Sequence, residues 1–278
     1  MRKQGSLLAV LCVGAVALFA ACSPAPVTLT STTSTVAPVD CTLRGPDRDL
    51  SGCDLSYQYL ATNLVNANLT GANLTGADMT RADLAGANLT NANLTGANLT
   101  GVRSGGTTGT PFAFPAGYQI INGYLVGPGA DLTGANLSGV DLSLLTVSGV
   151  TLRDANLTGA NLSGLDLSVL ILSGANLTGA NLTGVQLSFT GLSGANLTNA
   201  NLTNAGGNFT NLYKANLTGA KLTGANLNSA NLQEADLTNA DLTLANVGNA
   251  YLYGAIWSNT TCPNGVVQST ECPSTSAV

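Results

Sequence analysis

Residues 67–76 read ANLTGANLTG, and versions of this five-residue word recur almost to the end of the chain. With the leucine at position i, most words have Ala at i−2, Asn or Asp at i−1, Thr or Ser at i+1 and Gly at i+2. One frame runs from Leu64 to Leu99, after an earlier frame that ends out of step at Leu60, and a second block runs from Leu132 to Trp257. A period of five fits neither a helix nor a simple strand, so it predicts a chain that turns a corner once per word.

This repeat resembles the A-[ND]-L-x-x word of the pentapeptide repeat family, over about residues 48–259 apart from one insertion. The resemblance implies an all-β fold, a right-handed quadrilateral β-helix solenoid with about four words in each coil. Side chains at i−2 and i then face inward, whereas i+2 suits a corner because Gly and Asn tolerate positive φ. At about 4.8 Å per coil, about nine coils give a stack roughly 43 Å long if the stack is continuous.

The N-terminus carries the pattern of an export signal. Arg2 and Lys3 precede an apolar run, residues 7–21, that is short for a membrane span. Residues 18–22 resemble the lipobox of bacterial lipoproteins, which implies lipidation of Cys22; an ordinary signal peptide is the alternative. We therefore expect an exported chain, either lipid-anchored on the outer side of the cell membrane or secreted.

The expected organisation has six parts: a signal peptide (1–21), a Ser/Thr/Pro-rich tether (22–40), an N-terminal cap with the first repeat block (41–104), a hairpin insertion (105–129), the second repeat block (130–259), and a disulfide-bearing C-terminal cap and tail (260–278). In the insertion, YQIINGYLV alternates around Asn122-Gly123, which predicts a two-residue hairpin turn. An isolated hairpin is marginal, so its apolar residues should lie against the rod or across a break between the two blocks, with Leu144 and the outward residues at 169, 189 and 209 as candidate receivers. These insertion residues are Phe112, Phe114, Tyr118, Ile120, Tyr124 and Leu125.

Four cysteines remain once the signal and the candidate lipid site are set aside. An exported protein favours disulfides, and the local pairing joins Cys41 to Cys53 and Cys262 to Cys272. A zinc site is the competing interpretation, but the spacing and the absence of histidine oppose it. Near the second pair, Tyr251, Tyr253, Ile256 and Trp257 are expected to cover the last leucine layer as a cap, with an aromatic binding site as the alternative.

The words deviate most at one corner. Val169, Phe189 and Phe209 occupy i+2 in words that lie one predicted coil apart, and Ile171 is an outward neighbour, so we expect an exposed apolar patch. Such a patch indicates contact with something. Two interpretations stay open: the insertion covers it, or a partner protein does.

The composition excludes most enzymes. Histidine is absent and only 8% of the residues are charged, so converging acid–base groups are not expected, and no catalytic residue, cofactor or metal site is predicted. Without residues 1–21, seven basic side chains remain against 14 acidic ones, a net charge of −7 that disfavours nucleic acid and anionic lipid.

These observations favour a non-enzymatic, surface-tethered rod that acts as a spacer or protein-interaction scaffold in the bacterial cell envelope. Its partners are expected to be an unidentified envelope protein and the membrane by lipid anchor only, with a side-by-side homodimer open. The family resemblance implies an alternative, a DNA mimic that binds a type II topoisomerase, but the sparse acidic residues and the export signal oppose it. A further alternative is binding of ice or a carbohydrate surface by the outward Thr and Ser arrays, although Thr also simply favours strands.

Overall fold

The structure is a computed structural model that describes residues 38–272. The repeats belong to the second of two units of the chain, which begins at Val39. The predicted signal peptide, Cys22 and most of the tether lie outside the described residues. Within the described residues, no helix has the length and apolar character needed to cross a membrane.

Parallel bridges between successive coils build the second unit. One column of bridges runs from Asn63 to Tyr251 in nine steps, each joining the i−1 residue of a word to its counterpart in the next coil. Most steps advance by four words, as from Asn156 to Asn176, so each coil has four sides. The backbone alternates donors and acceptors along these bridges: Leu157 N donates to Asn176 O at 2.7 Å, and Asn176 N donates to Ala155 O at 2.9 Å.

The first coil differs in length from the others. Its bridges, such as Asp49 to Asn68, fall one residue short of four words, and the full four-word step begins at Asn63. The missing residue is the one lost between Leu60 and Leu64. The frame slip is therefore absorbed at one corner without breaking the stack.

The core consists of the residues at i−2 and i, as predicted. Ala175 and Leu177 are fully buried, and the same holds for nearly every equivalent pair along both blocks. The other three positions of the word face outward, and i+2 is the most exposed. A leucine layer with alanine between successive layers therefore fills the interior.

The polar residues of each word form hydrogen bonds with one another at the surface. Asn176 Oδ1 accepts a hydrogen bond from the Thr178 backbone N–H at 3.2 Å and another from Thr178 Oγ1 at 2.7 Å. Some Asn side chains also donate to the preceding coil, as Asn181 Nδ2 does to Asn161 Oδ1 at 3.0 Å. Asn or Asp followed by Thr or Ser is thus an Asx turn repeated once per side.

The insertion sits inside one enlarged coil. Arg103 bridges Asp131 directly, although the chain between them is longer than four words, so the two repeat blocks form one continuous stack. Thr108 and Ala113 still bridge the coil before them, which means that the period continues past Gly105 and that the added length lies on the fourth side. This fourth side contains strands β1 (Gln119–Ile121) and β2 (Tyr124–Val126), which pair antiparallel. Asn122 and Gly123 form the turn, with φ of 50° and 77°.

The hairpin packs on its own coil. Leu125 is fully buried in the core, and its backbone N–H donates to Ser104 Oγ at 2.8 Å. Tyr118 Oη donates to Leu99 O at 3.1 Å, and burial raises the pKa of this phenol to about 12. Phe114, Ile120 and Tyr124 are half-buried against the core, whereas Phe112 is 79% exposed, contrary to the expectation that it lies against the rod.

Disulfides close both ends with the predicted local pairing, Cys41 to Cys53 and Cys262 to Cys272. At the C-terminal end, strands β3 (Thr260–Thr261) and β4 (Val267–Gln268) form a second hairpin. The predicted aromatic cap is wrong in part. Trp257 is buried, but Tyr251, Tyr253 and Ile256 are 51–82% exposed, because they occupy outward positions of their words. The buried residues at this end are Trp257, Thr260, Cys262, Pro263 and Cys272.

Candidate protein-interaction surface

Three apolar side chains form an uncovered row along one corner of the stack. Val169, Phe189 and Phe209, hereafter the apolar ladder, are 72%, 62% and 53% exposed. The two phenyl rings stack with centroids 5.1 Å apart and planes 8° from parallel. The ladder lies between the side that contains Asp166 and the side that contains Ile171, which is itself 42% exposed.

The insertion does not cover the apolar ladder, so that interpretation is wrong. The ladder residues stay more than half exposed, and Leu144, the other candidate receiver, is 95% exposed. The physical reason is that the hairpin replaces one side of its own coil and buries Leu125 there, instead of reaching to later coils. Nothing in the described residues therefore hides these rings from water.

The backbone under the ladder is in the left-handed region. The φ angles are 61° for Val169, 60° for Phe189 and 57° for Phe209. This conformation costs a residue other than Gly or Asn roughly 1–2 kcal/mol, and a β-branched valine suits it least. Gly and Asn occupy most other corners, as Gly149 and Asn249 do in the same column. The ladder thus combines backbone strain with exposed apolar surface.

A side chain at a corner leans over the corner of the next coil. A Cβ added to Gly76 would lie 2.5 Å from the Tyr57 ring, and one added to Gly101 would lie 2.9 Å from Arg81. Glycine one coil later therefore accommodates such a side chain, as well as being a source of positive φ. The ladder departs from this pattern, as Lys214 followed by Glu234 also does, because Phe189 is followed by Phe209 and the two rings stack.

The residue that follows each phenylalanine of the ladder is polar, buried and hydrogen-bonded to the backbone. Thr190 and Thr210 replace the usual alanine at i−2 and are fully buried. Their hydroxyls donate to Leu167 O and Leu187 O, both at 2.8 Å. Because each threonine directly follows a phenylalanine, these bonds fix the corners that carry the rings.

A small polar cluster lies on the neighbouring side. Tyr213 Oη donates to Glu234 Oε1 at 3.1 Å, and Lys214 Nζ lies 3.4 Å from Glu234 Oε2 and 5.0 Å from the centre of the Tyr213 ring. The hydrogen bond with Tyr213, followed by the charge of Glu234, raises the pKa of Lys214. These groups neutralise one another at the surface, and their exposure makes them weak contributors to stability.

Many of the outward hydroxyls are already used as donors. Thr158, Thr178, Thr198 and Ser163 each donate to the Asn of their own word at 2.6–2.8 Å. These arrays therefore have a structural role within each word. Between residues 38 and 272, His, Cys, Asp and Glu side chains form no group suited to hold a metal ion.

A sequence profile of pentapeptide repeats matches the chain in eight copies, over residues 62–101, 128–144, 145–168, 171–206 and 210–249. The matched segments cover more than half of the 278 residues. The chain belongs to the pentapeptide repeat family. Two gaps in this pentapeptide repeat match, 169–170 and 207–209, contain Val169 and Phe209, whereas Phe189 lies within the matched segment 171–206.

Several solved pentapeptide repeat structures are similar to this chain. HetL, a protein involved in heterocyst differentiation regulation from the cyanobacterium Nostoc sp. strain PCC 7120, is 27% identical over 78% of this chain and 94% of its own, with a TM-score of 0.30. AT2G44920 from the Arabidopsis thaliana thylakoid lumen is 38% identical over 34% of this chain and 65% of its own, with a TM-score of 0.33. QnrB1, a plasmid-mediated fluoroquinolone resistance protein, is 14% identical over 76% of this chain and 90% of its own, with a TM-score of 0.28. No curated protein matches.

Proposed function

We propose that this pentapeptide repeat protein is a non-enzymatic, surface-tethered scaffold of the bacterial cell envelope, and that the apolar ladder is its contact region for another protein. The observation that supports this proposal is the uncovered Phe189–Phe209 stack. Exposed contiguous apolar surface on a soluble domain is typical of interaction sites.

Backbone strain adds a second argument for contact. Each ladder residue occupies a corner of the kind that Gly or Asn usually fills; Tyr57 and Leu244 are strained in the same way, but the ladder places apolar residues at such corners in three successive coils. Strain of this kind clusters at functional sites. Burial within the chain does not offset it, since the three side chains remain more than half exposed. A partner that buries the ladder supplies the missing compensation.

The scaffold role also rests on the regularity of the stack. Coil-to-coil hydrogen bonds and a filled core make a stiff support, and the parallel four-word spacing fits the right-handed quadrilateral β-helix implied by the family. We infer that the tether and a lipid on Cys22 hold this support at the outer side of the cell membrane. The sequence around Cys22 is the basis for that inference.

Mimicry of DNA is not the function we propose. On the Asp166 side, the bridged residues of four successive coils are Asp166, Gln186, Gly206 and Asn226, so only one of the four is charged. A surface that substitutes for a phosphate backbone needs closely repeated negative charge. The hydroxyl arrays are not favoured as an ice or carbohydrate site either, since many of their donors bond within the word.

The test compares a ladder variant with a matched control. Asn tolerates the left-handed φ of these corners, so Phe189→Asn/Phe209→Asn removes the rings without adding backbone strain. Leu244→Asn is the control, because Leu244 is an isolated corner residue with φ of 60° and 76% exposure. Envelope proteins captured by the wild type and by Leu244→Asn should be lost with the double variant. Recovery of the same proteins with all three would remove the ladder from the proposal.

A further inference from the structure

The side chains of the apolar ladder change in size along the corner in an order that lets the ladder pack against an antiparallel copy of itself. Along the corner the residues are Gly149, Val169, Phe189, Phe209 and Ser229, one per coil. In a two-fold arrangement with antiparallel stacks and Phe189 at the centre, Val169 faces Phe209 of the other copy, and Gly149 faces Ser229. A smaller residue then opposes a larger one on both sides of the centre, and each such pair occurs twice, as in any two-fold isologous interface.

Resting on the proposed function, we infer that the ladder binds the same ladder of a second copy of this chain, with the two stacks side by side and antiparallel. The flanking sides fit the same symmetry. Asp166 would face the bare backbone of Gly206, and Ile171 would face Asn211. At the centre, Gly191 has no side chain and leaves room beside Phe189. No carboxylate of these flanking rungs meets another carboxylate.

The repeat spacing favours a second solenoid over an irregular surface. Ladder residues recur at the coil spacing of about 4.8 Å, and a second copy carries the same spacing, so every rung is in register once one pair is aligned. Scaled by their exposed fractions, the three ladder residues and Ile171 offer about 400 Å² of surface. This is about half of the roughly 800 Å² per partner in a standard interface, and the flat flanking sides would supply the rest.

Cysteine cross-linking tests the arrangement without altering the ladder. Ser188 lies in the central coil, and Ser168 and Asn208 lie one coil to either side; all three are half-exposed on the Asp166 side. The native cysteines between residues 38 and 272 are paired in disulfides. In cells expressing the full chain, Ser188→Cys should form a cross-linked dimer by itself. Ser168→Cys and Asn208→Cys should do so when co-expressed, but neither alone, because the two copies of each outer position lie two coils, about 10 Å, apart along the stack, which is beyond the roughly 7 Å that a disulfide spans.

Each outcome decides between arrangements. A dimer band with Ser188→Cys and with the mixed pair, lost on adding Phe189→Asn/Phe209→Asn, supports the antiparallel dimer. Cross-linking of Ser168→Cys alone at the level of the mixed pair, or no cross-linking of Ser188→Cys above wild type, overturns it. Loss of captured envelope proteins in the ladder variant without any cross-linking would leave the proposed function standing and refute the dimer. Cross-linking as predicted, together with capture of the same envelope proteins by the ladder variant, would support the dimer and refute the ladder as the contact region for those proteins.

Discussion

Val169 gives the sharpest test of the corner strain, because it is β-branched, 72% exposed and held at φ of 61°. Val169→Asn should relieve about 1–2 kcal/mol of left-handed strain. Complete burial of a valine contributes about 1.5–3 kcal/mol, so the loss of its small buried fraction costs about 0.5–1 kcal/mol. The free energy of unfolding should therefore rise by about 1 kcal/mol, which raises the melting temperature by about 2–4 °C.

Urea unfolding of wild type and Val169→Asn, with the disulfides intact, measures this difference. The dependence of the unfolding free energy on urea should be unchanged, since both chains expose the same surface. Leu244→Asn, at a strained corner outside the ladder, should be stabilised to a similar extent. A fall of about 1 kcal/mol or more for Val169→Asn would refute the argument, since Val169 would then be a packing residue rather than a strained, exposed one.

Three further predictions concern packing, pH and export. Gly76→Ala should destabilise the fold more than Gly96→Ala, because a Cβ at residue 76 collides with the Tyr57 ring whereas a Cβ at residue 96 meets open space. A double-mutant cycle that combines Gly76→Ala with Tyr57→Gly should show coupling between the two residues. Equal losses of stability for Gly76→Ala and Gly96→Ala would contradict the ring contact. Hydrogen bonds from the Ser143 hydroxyl and then its backbone N–H lower the pKa of Asp141, and Ser and Thr partners similarly lower the pKa of Asp49, Asp54 and Asp78. A lowered folded pKa stabilises the fold above the unfolded value of about 3.9, so the melting temperature should hold from neutral pH to about 4 and fall below it, whereas a melting temperature that rises on acidification would contradict the sign. Cys22→Ser should abolish incorporation of labelled fatty acid while leaving the repeat unit folded by circular dichroism; undiminished labelling would exclude Cys22 as the lipid site.

The repeat itself determines most of the fold. Because each word contributes the same inward and outward positions, the buried Ala and Leu columns and the left-handed corners follow from the register of a single word such as residues 67–71. The disulfide pairing follows from the short sequence separations of 12 and 10. The turn at Asn122-Gly123 follows from its local chemistry.

Contacts between distant segments do not follow from the repeat. The hairpin has enough apolar residues to cover the ladder, and periodicity alone does not show that Leu125 fills the fourth side of its own coil instead. Tyr251 and Tyr253 suggest a cap by composition, although their places in the word point them outward. The strain at Phe189 is visible in the sequence as a bulky residue at a corner position, followed one coil later by Phe209 instead of glycine.

The claim that the ladder is bare in the chain but covered in the envelope is tested most directly by thiol labelling at Asn208→Cys, half-exposed beside Phe209. We predict rapid maleimide labelling of the dilute purified protein and protection on intact cells, with Leu244→Cys labelled in both settings. Equal labelling of Asn208→Cys in the purified protein and on cells would contradict the claim.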